Sequence, residues 1–196
     1  MVVTGMDVLR MQLTGSFNLL QIRLEEIADA EWARRVAPGT SRLGFILWHG
    51  ARILDWTAHS AFQGAPEIAD RSPWRERFAR EAAYGAGIPE RVADSVAEST
   101  NRRDVAEYLA AVRGSFMAWF EAQTDATLEA PVPLRANQAS RPNYLAPAVW
   151  EEVADLDGLP GWQFLARPAI SHVRVHVGEY DTLAGLLRAG ASTPRA

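Results

Sequence analysis

Cysteine is absent from the 196 residues of this chain, and all 20 of its basic residues are arginine. Without cysteine there is no disulfide framework, no thiolate metal ligand and no cysteine nucleophile, so any thiol chemistry must use a thiol from another molecule. Without lysine, Schiff-base chemistry on a lysine and a P-loop phosphate site are both excluded.

Long apolar runs and a basic stripe are also missing. No run approaches the roughly 20 apolar residues that a membrane-spanning helix needs, so we expect no contact with a membrane. Polar residues from Asp7 onward do not fit a signal peptide, which makes a cytoplasmic location the expectation. The net charge of −4 argues against nucleic acid as a partner.

The composition is that of an ordinary globular protein, with 48% hydrophobic and 22% charged residues. The length suits one domain with a sizeable core. We therefore predict a single domain over residues 1–190, followed by a disordered tail over residues 191–196.

Three segments carry apolar residues at the spacing of an amphipathic helix. The first runs from about Gly5 to Arg35. The second starts near Ser41, which we take as its N-cap, and runs to about Gln63. The third begins near Asn101 and carries an aromatic stripe, which we interpret as core packing.

The last predicted helix spans residues 168–189 and carries two of the four histidines, His172 and His176. On a helix these two residues and Glu179 share one face, with the imidazoles roughly 6 Å apart along the axis. The alternating valines of this stretch also permit a strand, on which the imidazoles would lie roughly 13 Å apart, too far for one metal ion. Leucines that follow at helical spacing, with Pro168 to open the helix and Gly190 to close it, favour the helix.

The residue after the first of these histidines is valine. A zincin metalloprotease would carry its catalytic glutamate there, so this protease class is excluded.

Two regions between these helices are less regular. Residues 127–167 show no sustained helical period apart from one short helix over residues 149–154, so we predict a crossover that covers one end of the helices. The pair Ser72-Pro73 predicts another short helix over residues 72–83, with Ser72 as N-cap and the rings of Trp74 and Phe78 as anchors. The expected fold is all-α: a four-helix bundle with a long crossover connection before the last helix.

His49 lies in the apolar seam of the second predicted helix. A lone histidine in such a seam is more often a satisfied core residue than a ligand. Together with His172 and His176, however, it makes a three-histidine site possible, and three neutral imidazoles hold a divalent ion while leaving a position open. Zinc, nickel and iron(II) are all compatible with such a site.

Other polar residues near these histidines have two interpretations. Arg52, Asp55 and His59 form a second stripe on the same helix, which we favour as a solvated flank with an ion pair. The alternative is a pocket rim or the surroundings of a metal site. Glu179 either orients His176 or the water of the ion, or is a surface carboxylate.

Two stretches resemble the DinB-like (DinB/YfiT) family of metal-binding four-helix bundles. They are Gly39 to His49, continued by Arg52 and Asp55-Trp56, and His172 to Glu179, continued by Leu183 and Gly185-Leu186-Leu187. A glycine-rich entry, a Trp-His pair and a His-x-x-x-His on the last helix occur in the same order and at similar distances in that family. The resemblance implies His49, His172 and His176 as metal ligands, with His59 as a spare candidate.

The same resemblance implies a function and an assembly. Members of that family are often homodimers, and several use the metal to activate a low-molecular-weight thiol such as mycothiol or bacillithiol for transfer or isomerisation. A metal-bound thiol is deprotonated at neutral pH, which supplies a nucleophile that this chain lacks. We therefore expect a metal-dependent thiol S-transferase or isomerase that acts on a small molecule. The alternatives are a non-catalytic metal- or ligand-binding protein of the stress response and a hydrolase that uses metal-bound water.

Overall fold

The computed structural model describes residues 3–191, and every regular element in that range is helical. Within the same range, no helix combines the length and the apolar character needed to cross a membrane. The α-helices are α1 (Gly5–Glu26), α2 (Asp29–Trp32), α3 (Leu43–Asp55), α4 (Trp74–Arg77), α5 (Glu90–Ser99), α6 (Arg102–Glu121), α7 (Asp125–Glu129), α8 (Leu134–Gln138), α9 (Pro147–Val153), α10 (Gly161–Leu165) and α11 (Val173–Ala191). Wider π-helical segments lie at Trp56–Gln63 and Ala166–His172, and 3₁₀ turns at Ile68–Asp70, Arg80–Ala82 and Ala154–Leu156.

α3 is the central helix, and every one of its residues is buried. It packs against α11, α6, α5, α1 and α2, while α1 also packs against α6 and α11. A helix that is apolar on nearly all sides belongs in the protein interior. The polar residues that the sequence places on α3 are therefore inside the protein as well.

The predicted length of the first helix is wrong. α1 ends at Glu26 rather than near Arg35, because Ile27 leaves the helix in an extended conformation and is buried there. The turn lets the short α2 bring the ring of Trp32 onto α3. The ring covers Gly44 so closely that a Cβ added there would lie 2.4 Å from it.

The second predicted helix is confirmed to Gln63, but its start differs. α3 begins after Arg42, which occupies the N-cap position that was expected for Ser41 and makes no capping side-chain hydrogen bond. The side chain of Arg42 is instead bound to Asp94 of α5 at 2.9 Å. The last turns widen into a π-helix, and Gly64 ends it with a φ of +62°.

α6 confirms both the third predicted helix and its interpretation as core. Asn101 caps the helix by accepting a hydrogen bond from the amide of Asp104 at 3.0 Å. The apolar stripe is buried at Val105, Tyr108, Leu109, Val112, Phe116 and Phe120. The ring of Phe17 on α1 meets Phe116 edge to face, with ring centroids 5.6 Å apart, so α1, α3 and α6 share one core.

The helix observed where residues 72–83 were predicted to be helical is shorter than predicted. α4 has Pro73 rather than Ser72 as its N-cap, and it ends because Phe78 turns into an extended conformation. Trp74 and Phe78 are both buried, as predicted. The ring of Phe78 packs edge-on against a tryptophan of α3 and a tyrosine of α6.

The crossover and the last helix differ from the prediction at two points. Four short helices, α7 to α10, lie between α6 and the second π-helical segment, where only a helix matching α9 was expected. Pro168 does not open the last helix, because the helical backbone runs from α10 through that π-helical segment into α11. Proline has no amide hydrogen, and a wider turn accommodates the missing bond. α11 extends through Ala191, and the rest of the predicted tail, residues 192–196, lies outside the described residues.

Candidate metal centre and buried polar network

His49 on α3, His172 at the end of the second π-helical segment and His176 on α11 come together where these helical segments pack. One nitrogen of each ring lies within 4.8 Å of the others. The Nε2 atoms of His172 and His176 are 3.0 Å apart, and the ring centroid of His49 lies 4.7 Å from that of His176. The structure thus brings together the three residues predicted as ligands, while His59 is not part of this group.

The ring of His49 is fixed in orientation and in tautomer. The rings of Phe45 and Tyr84 stack on it, with centroids 5.8 and 6.0 Å away. Its Nδ1–H donates to the carbonyl of Tyr84 at 2.6 Å. Because a carbonyl only accepts, Nε2 is left with the lone pair that a metal ion would use.

Gly85 makes this close contact possible. Its φ is +101°, a conformation that favours glycine. A Cβ at this position would lie 2.6 Å from Nδ1 of His49. The segment that fixes the ring of His49 therefore depends on a glycine at this position.

A carboxylate sets the tautomer of His176 in the same manner. Its Nδ1–H donates to Oε2 of Glu179 at 3.0 Å, so Nε2 carries the lone pair and faces Nε2 of His172. Two nitrogens bound to one ion at about 2.1 Å lie roughly 3.0–3.4 Å apart. The observed spacing fits a shared divalent ion, and Glu179 makes the orienting contact that was one of its two interpretations.

Two of the three rings hold protons only weakly. Burial, followed by the proximity of His176, lowers the pKa of His49 to about 3. The same two causes lower the pKa of His172 to about 4. His172 is an exposed residue that lines a neighbouring cavity, so its ring is desolvated less completely than the buried ring of His49. Both rings are therefore neutral at physiological pH, which is the form that binds metal.

A cavity of about 280 Å³ opens beside His172. The rings of Trp56 and Tyr84, stacked with centroids 4.8 Å apart, form an apolar wall. The crossover contributes Glu152 and Leu156 to the lining. The cavity reaches the histidine cluster at His172, and the predicted crossover borders it.

The family model of the DinB superfamily matches residues 12–154 of the chain. The protein belongs to the DinB superfamily. No curated protein matches the chain. The matched range includes His49 but ends before His172 and His176, so the family match and the convergence of the three rings are separate observations.

The second polar stripe of this DinB-superfamily chain is not at the surface. Arg52, Asp55 and His59 are 4%, 0% and 4% exposed, so the favoured interpretation as a solvated flank is wrong. The ion pair itself is present, with Nη1 of Arg52 3.2 Å from Oδ2 of Asp55. The stripe is buried because α3 is covered on all sides and other polar groups meet it there.

Asp55 is the centre of what we call the buried polar network, which comprises Arg52, Asp55, Glu67, Tyr108 and Tyr144. It accepts hydrogen bonds from the hydroxyl of Tyr108 at 2.5 Å and from two backbone amides of the following 3₁₀ turn at 3.0 Å each. Burial acts to raise the pKa of Asp55, but the hydrogen bond from His59 and the charge of Arg52 outweigh it, and the pKa falls below its usual value. Asp55 is therefore held as a buried carboxylate.

His59 lies between a carboxylate and a hydroxyl. Its Nδ1 is 2.7 Å from Oδ1 of Asp55, and its Nε2 is 2.7 Å from Oγ of Ser115. The order of groups is that of a serine hydrolase, but Ser115 lies inside α6, where the neighbouring amides are used in helical hydrogen bonds and offer no oxyanion hole. We therefore assign this arrangement a structural role.

Glu67 completes the buried polar network, and no pattern in the sequence had pointed to this residue. Its Oε2 lies 2.8 Å from Nη2 of Arg52 and accepts a hydrogen bond from the hydroxyl of Tyr144, also at 2.8 Å. Burial raises the pKa of Glu67, against the opposing charge of Arg52. Arg141 pairs with the other oxygen of this carboxylate. The network thus ties the crossover to α3.

Proposed function

We propose that this DinB-superfamily protein binds one divalent metal ion through His49, His172 and His176. The observation that carries the proposal is the convergence of three imidazoles, two of which have tautomers that leave Nε2 free as a ligand atom. Imidazole suits zinc, nickel and iron alike. Three protein ligands leave room at the ion for a small molecule.

We further propose that the protein is a thiol S-transferase or isomerase that uses a thiol of the mycothiol or bacillithiol type. A divalent ion in this site would lower the pKa of a thiol bound beside it and so supply a thiolate at neutral pH. The absence of cysteine from the chain supports an external thiol. The cavity beside His172 offers a place for it, with Trp56 and Tyr84 keeping water from one side. Glu179 holds the ring of His176 in its orientation.

We propose the wider organisation on related grounds. The packing of α1, α3, α6 and α11 around one core supports a four-helix bundle that occupies a single domain over residues 1–190. The family resemblance supports a homodimer, and a cytoplasmic location, which we expect from the sequence patterns alone, is part of the same proposal. Light scattering coupled to size-exclusion chromatography measures the assembly, and a monomer at all concentrations would reject the dimer.

Cobalt substitution tests the thiol part of the proposal. The protein is loaded with cobalt(II), and its visible spectrum is recorded while mycothiol or bacillithiol is added. A thiol that reaches the ion changes the spectrum, whereas its S-methylated form does not. His176→Ala should lose the cobalt spectrum, and His59→Gln, which changes the histidine outside the cluster, should keep it.

Three results, from this titration and from a separate assay of ester hydrolysis, would redirect the proposal. An unchanged cobalt spectrum with every thiol would overturn the transferase. Turnover of activated esters by the metal-loaded protein without any thiol would favour the hydrolase. Tight metal binding with neither response would favour a metal- or ligand-binding protein without catalysis.

A further inference from the structure

A second cavity, of about 400 Å³, is lined in part by Ala83, the neighbour in sequence of the Tyr84 that contacts His49, and we call it the arginine cavity. Arginine supplies four of its lining residues and an acid only one: Arg52, Arg75, Arg80 and Arg141 against Asp70. The chain as a whole has a net charge of −4. The lining of this cavity is therefore richer in basic than in acidic side chains, and what it can offer a ligand depends on which of the arginines already have acidic partners.

Two of the four arginines are already neutralised. Arg52 lies 2.8 Å from the carboxylate of Glu67 and 3.2 Å from that of Asp55. Arg141 pairs with the other oxygen of Glu67 and, at 3.1 Å, with Asp70. Their buried partners leave these two guanidinium groups with little charge to offer a ligand, so they serve mainly as fixed donors in the walls.

The other two arginines retain their charge at the cavity edge. Arg75 pairs only with its exposed neighbour Glu76, at 3.3 Å, a contact of small energetic weight. Arg80 is exposed and makes no side-chain hydrogen bond or ion pair with any residue of the range 3–191. Two guanidinium groups without a buried acid to balance them thus point to a ligand of negative charge.

The walls of the arginine cavity are held in place before any ligand binds. Arg52 donates to the carbonyl of Ala83 from Nε at 3.2 Å and from Nη2 at 2.9 Å, and to the hydroxyl of Tyr144 at 2.9 Å. The guanidinium of Arg141 lies over the ring of Tyr144, 3.7 Å from its centroid. Ala83 has a φ of +45°, which a non-glycine residue rarely adopts. Such strain is maintained only where surrounding contacts determine it, and ordered walls reduce the entropy lost on binding.

We propose that the arginine cavity binds a small molecule through a phosphate group. Guanidinium groups match phosphate oxygens by paired hydrogen bonds, and here Arg80 has no ion-pair partner while Arg75 has only a weak exposed one. The volume is in the range of small-molecule sites. The site is separate from the histidine cluster: Arg52 holds the carbonyl of Ala83 on one side, and the neighbouring carbonyl of Tyr84 accepts from His49 on the other.

Titration with inorganic phosphate tests this proposal. The full chain is kept in chelator, so that phosphate binding to a metal ion does not contribute, and heat is measured by calorimetry at constant ionic strength. We expect saturable binding that Arg80→Ala weakens by about 10-fold or more, the scale of one lost charge-assisted hydrogen bond. Arg80→Lys should restore part of the affinity, because it keeps the charge but not the paired donors.

Arg91→Ala is the matched control, because Arg91 is an exposed arginine on α5 outside the cavity. Its phosphate affinity should equal that of the parent. Equal weakening by Arg80→Ala and Arg91→Ala would show general attraction of anions and overturn the proposal, as would the absence of saturable binding. Tighter binding of succinate than of phosphate would overturn the assignment of the ligand class. Circular dichroism confirms that each variant is folded.

Discussion

Replacement of Asp55 by asparagine should reveal how much the buried polar network stabilises the fold. Asparagine keeps the shape of the side chain but removes its charge and turns one acceptor oxygen into a donor. Both oxygens are in use: Oδ1 lies 2.7 Å from Nδ1 of His59 and 3.0 Å from the amide of Ile68, and Oδ2 lies 2.5 Å from the hydroxyl of Tyr108 and 3.0 Å from the amide of Ala69. The new amide nitrogen would face donors in either position.

The expected effect is large because a buried arginine loses one of its two carboxylate partners and the buried hydrogen bonds to Asp55 are disrupted. Arg52 is 4% exposed and would keep only the carboxylate of Glu67, 2.8 Å away. Removal of one partner of a buried ion pair costs about 3–5 kcal/mol, and we expect a loss of unfolding free energy in that range. A typical domain has a total of roughly 5–15 kcal/mol. Urea unfolding followed by circular dichroism measures the loss, in chelator so that metal binding does not contribute.

Asp181→Asn is the matched control. Asp181 pairs with Arg23 at 2.8 Å, but its side chain is 45% exposed. Such surface pairs contribute about 0–1 kcal/mol, so this variant should lose no more than that. If Asp55→Asn lost as little as Asp181→Asn, the reasoning that the fold depends on this buried carboxylate would be refuted.

Three further predictions concern the candidate metal centre and a surface ion pair. Gly85→Ala should lower metal affinity about 10-fold or more, because the added Cβ would lie 2.6 Å from Nδ1 of His49. Gly158→Ala is the matched control and should leave metal affinity unchanged. Gly158 also has a positive φ, but a Cβ there would have no atom within 4 Å. Competition with a chromophoric chelator measures both, and equal affinities would contradict the contact. Glu179→Ala should also lower affinity about 10-fold in this assay, and an unchanged value would mean that the carboxylate does not hold its histidine. Arg188 lowers the pKa of Glu31 from 4.5 to about 2, so the stabilisation from this carboxylate is present above pH 4.5 and is lost as the pH falls to about 2. The unfolding free energy of Glu31→Gln should therefore be about 0.5–1 kcal/mol below that of the parent at neutral pH and equal to it near pH 2. Urea unfolding at the two pH values measures this, and a difference that persists in acid would contradict the assignment.

Features that depend on neighbours in sequence could be predicted. The face shared by His172, His176 and Glu179 follows from helical spacing alone, and the structure shows the contact between the last two. The buried stripe and the Asn101 cap of α6 are equally local. The approach of His49 to the other two histidines is not local, and it was expected from the order of motifs in a resembling family.

Features that depend on distant segments could not be predicted in the same way. A polar stripe such as Arg52 and Asp55 has the same sequence pattern whether water or protein covers it. Here its partners come from distant parts of the chain, both from α6 and from irregular segments, and the hydroxyl of Tyr144 lies 92 residues from Arg52. Gly85 is a similar case. A side chain is excluded at this position only because the folded chain brings it against the ring of His49.

The π-helical segments were missed for a different reason. Hydrophobic periodicity reports which face of a helix is buried, not the width of its turns. Pro168 reads as the start of a helix because proline is common there. Its place inside the segment Ala166–His172 depends on a local widening that leaves the apolar pattern nearly unchanged.

Metal content is the most direct test of the central claim. Protein purified without an affinity tag is analysed for metals beside His49→Ala and beside His59→Gln, which changes the one histidine outside the cluster. We predict one divalent ion per chain in the parent and in His59→Gln, and loss of that ion in His49→Ala. Absence of metal from the parent, even after exposure to zinc, nickel and iron, would contradict the claim that these three histidines form a metal centre.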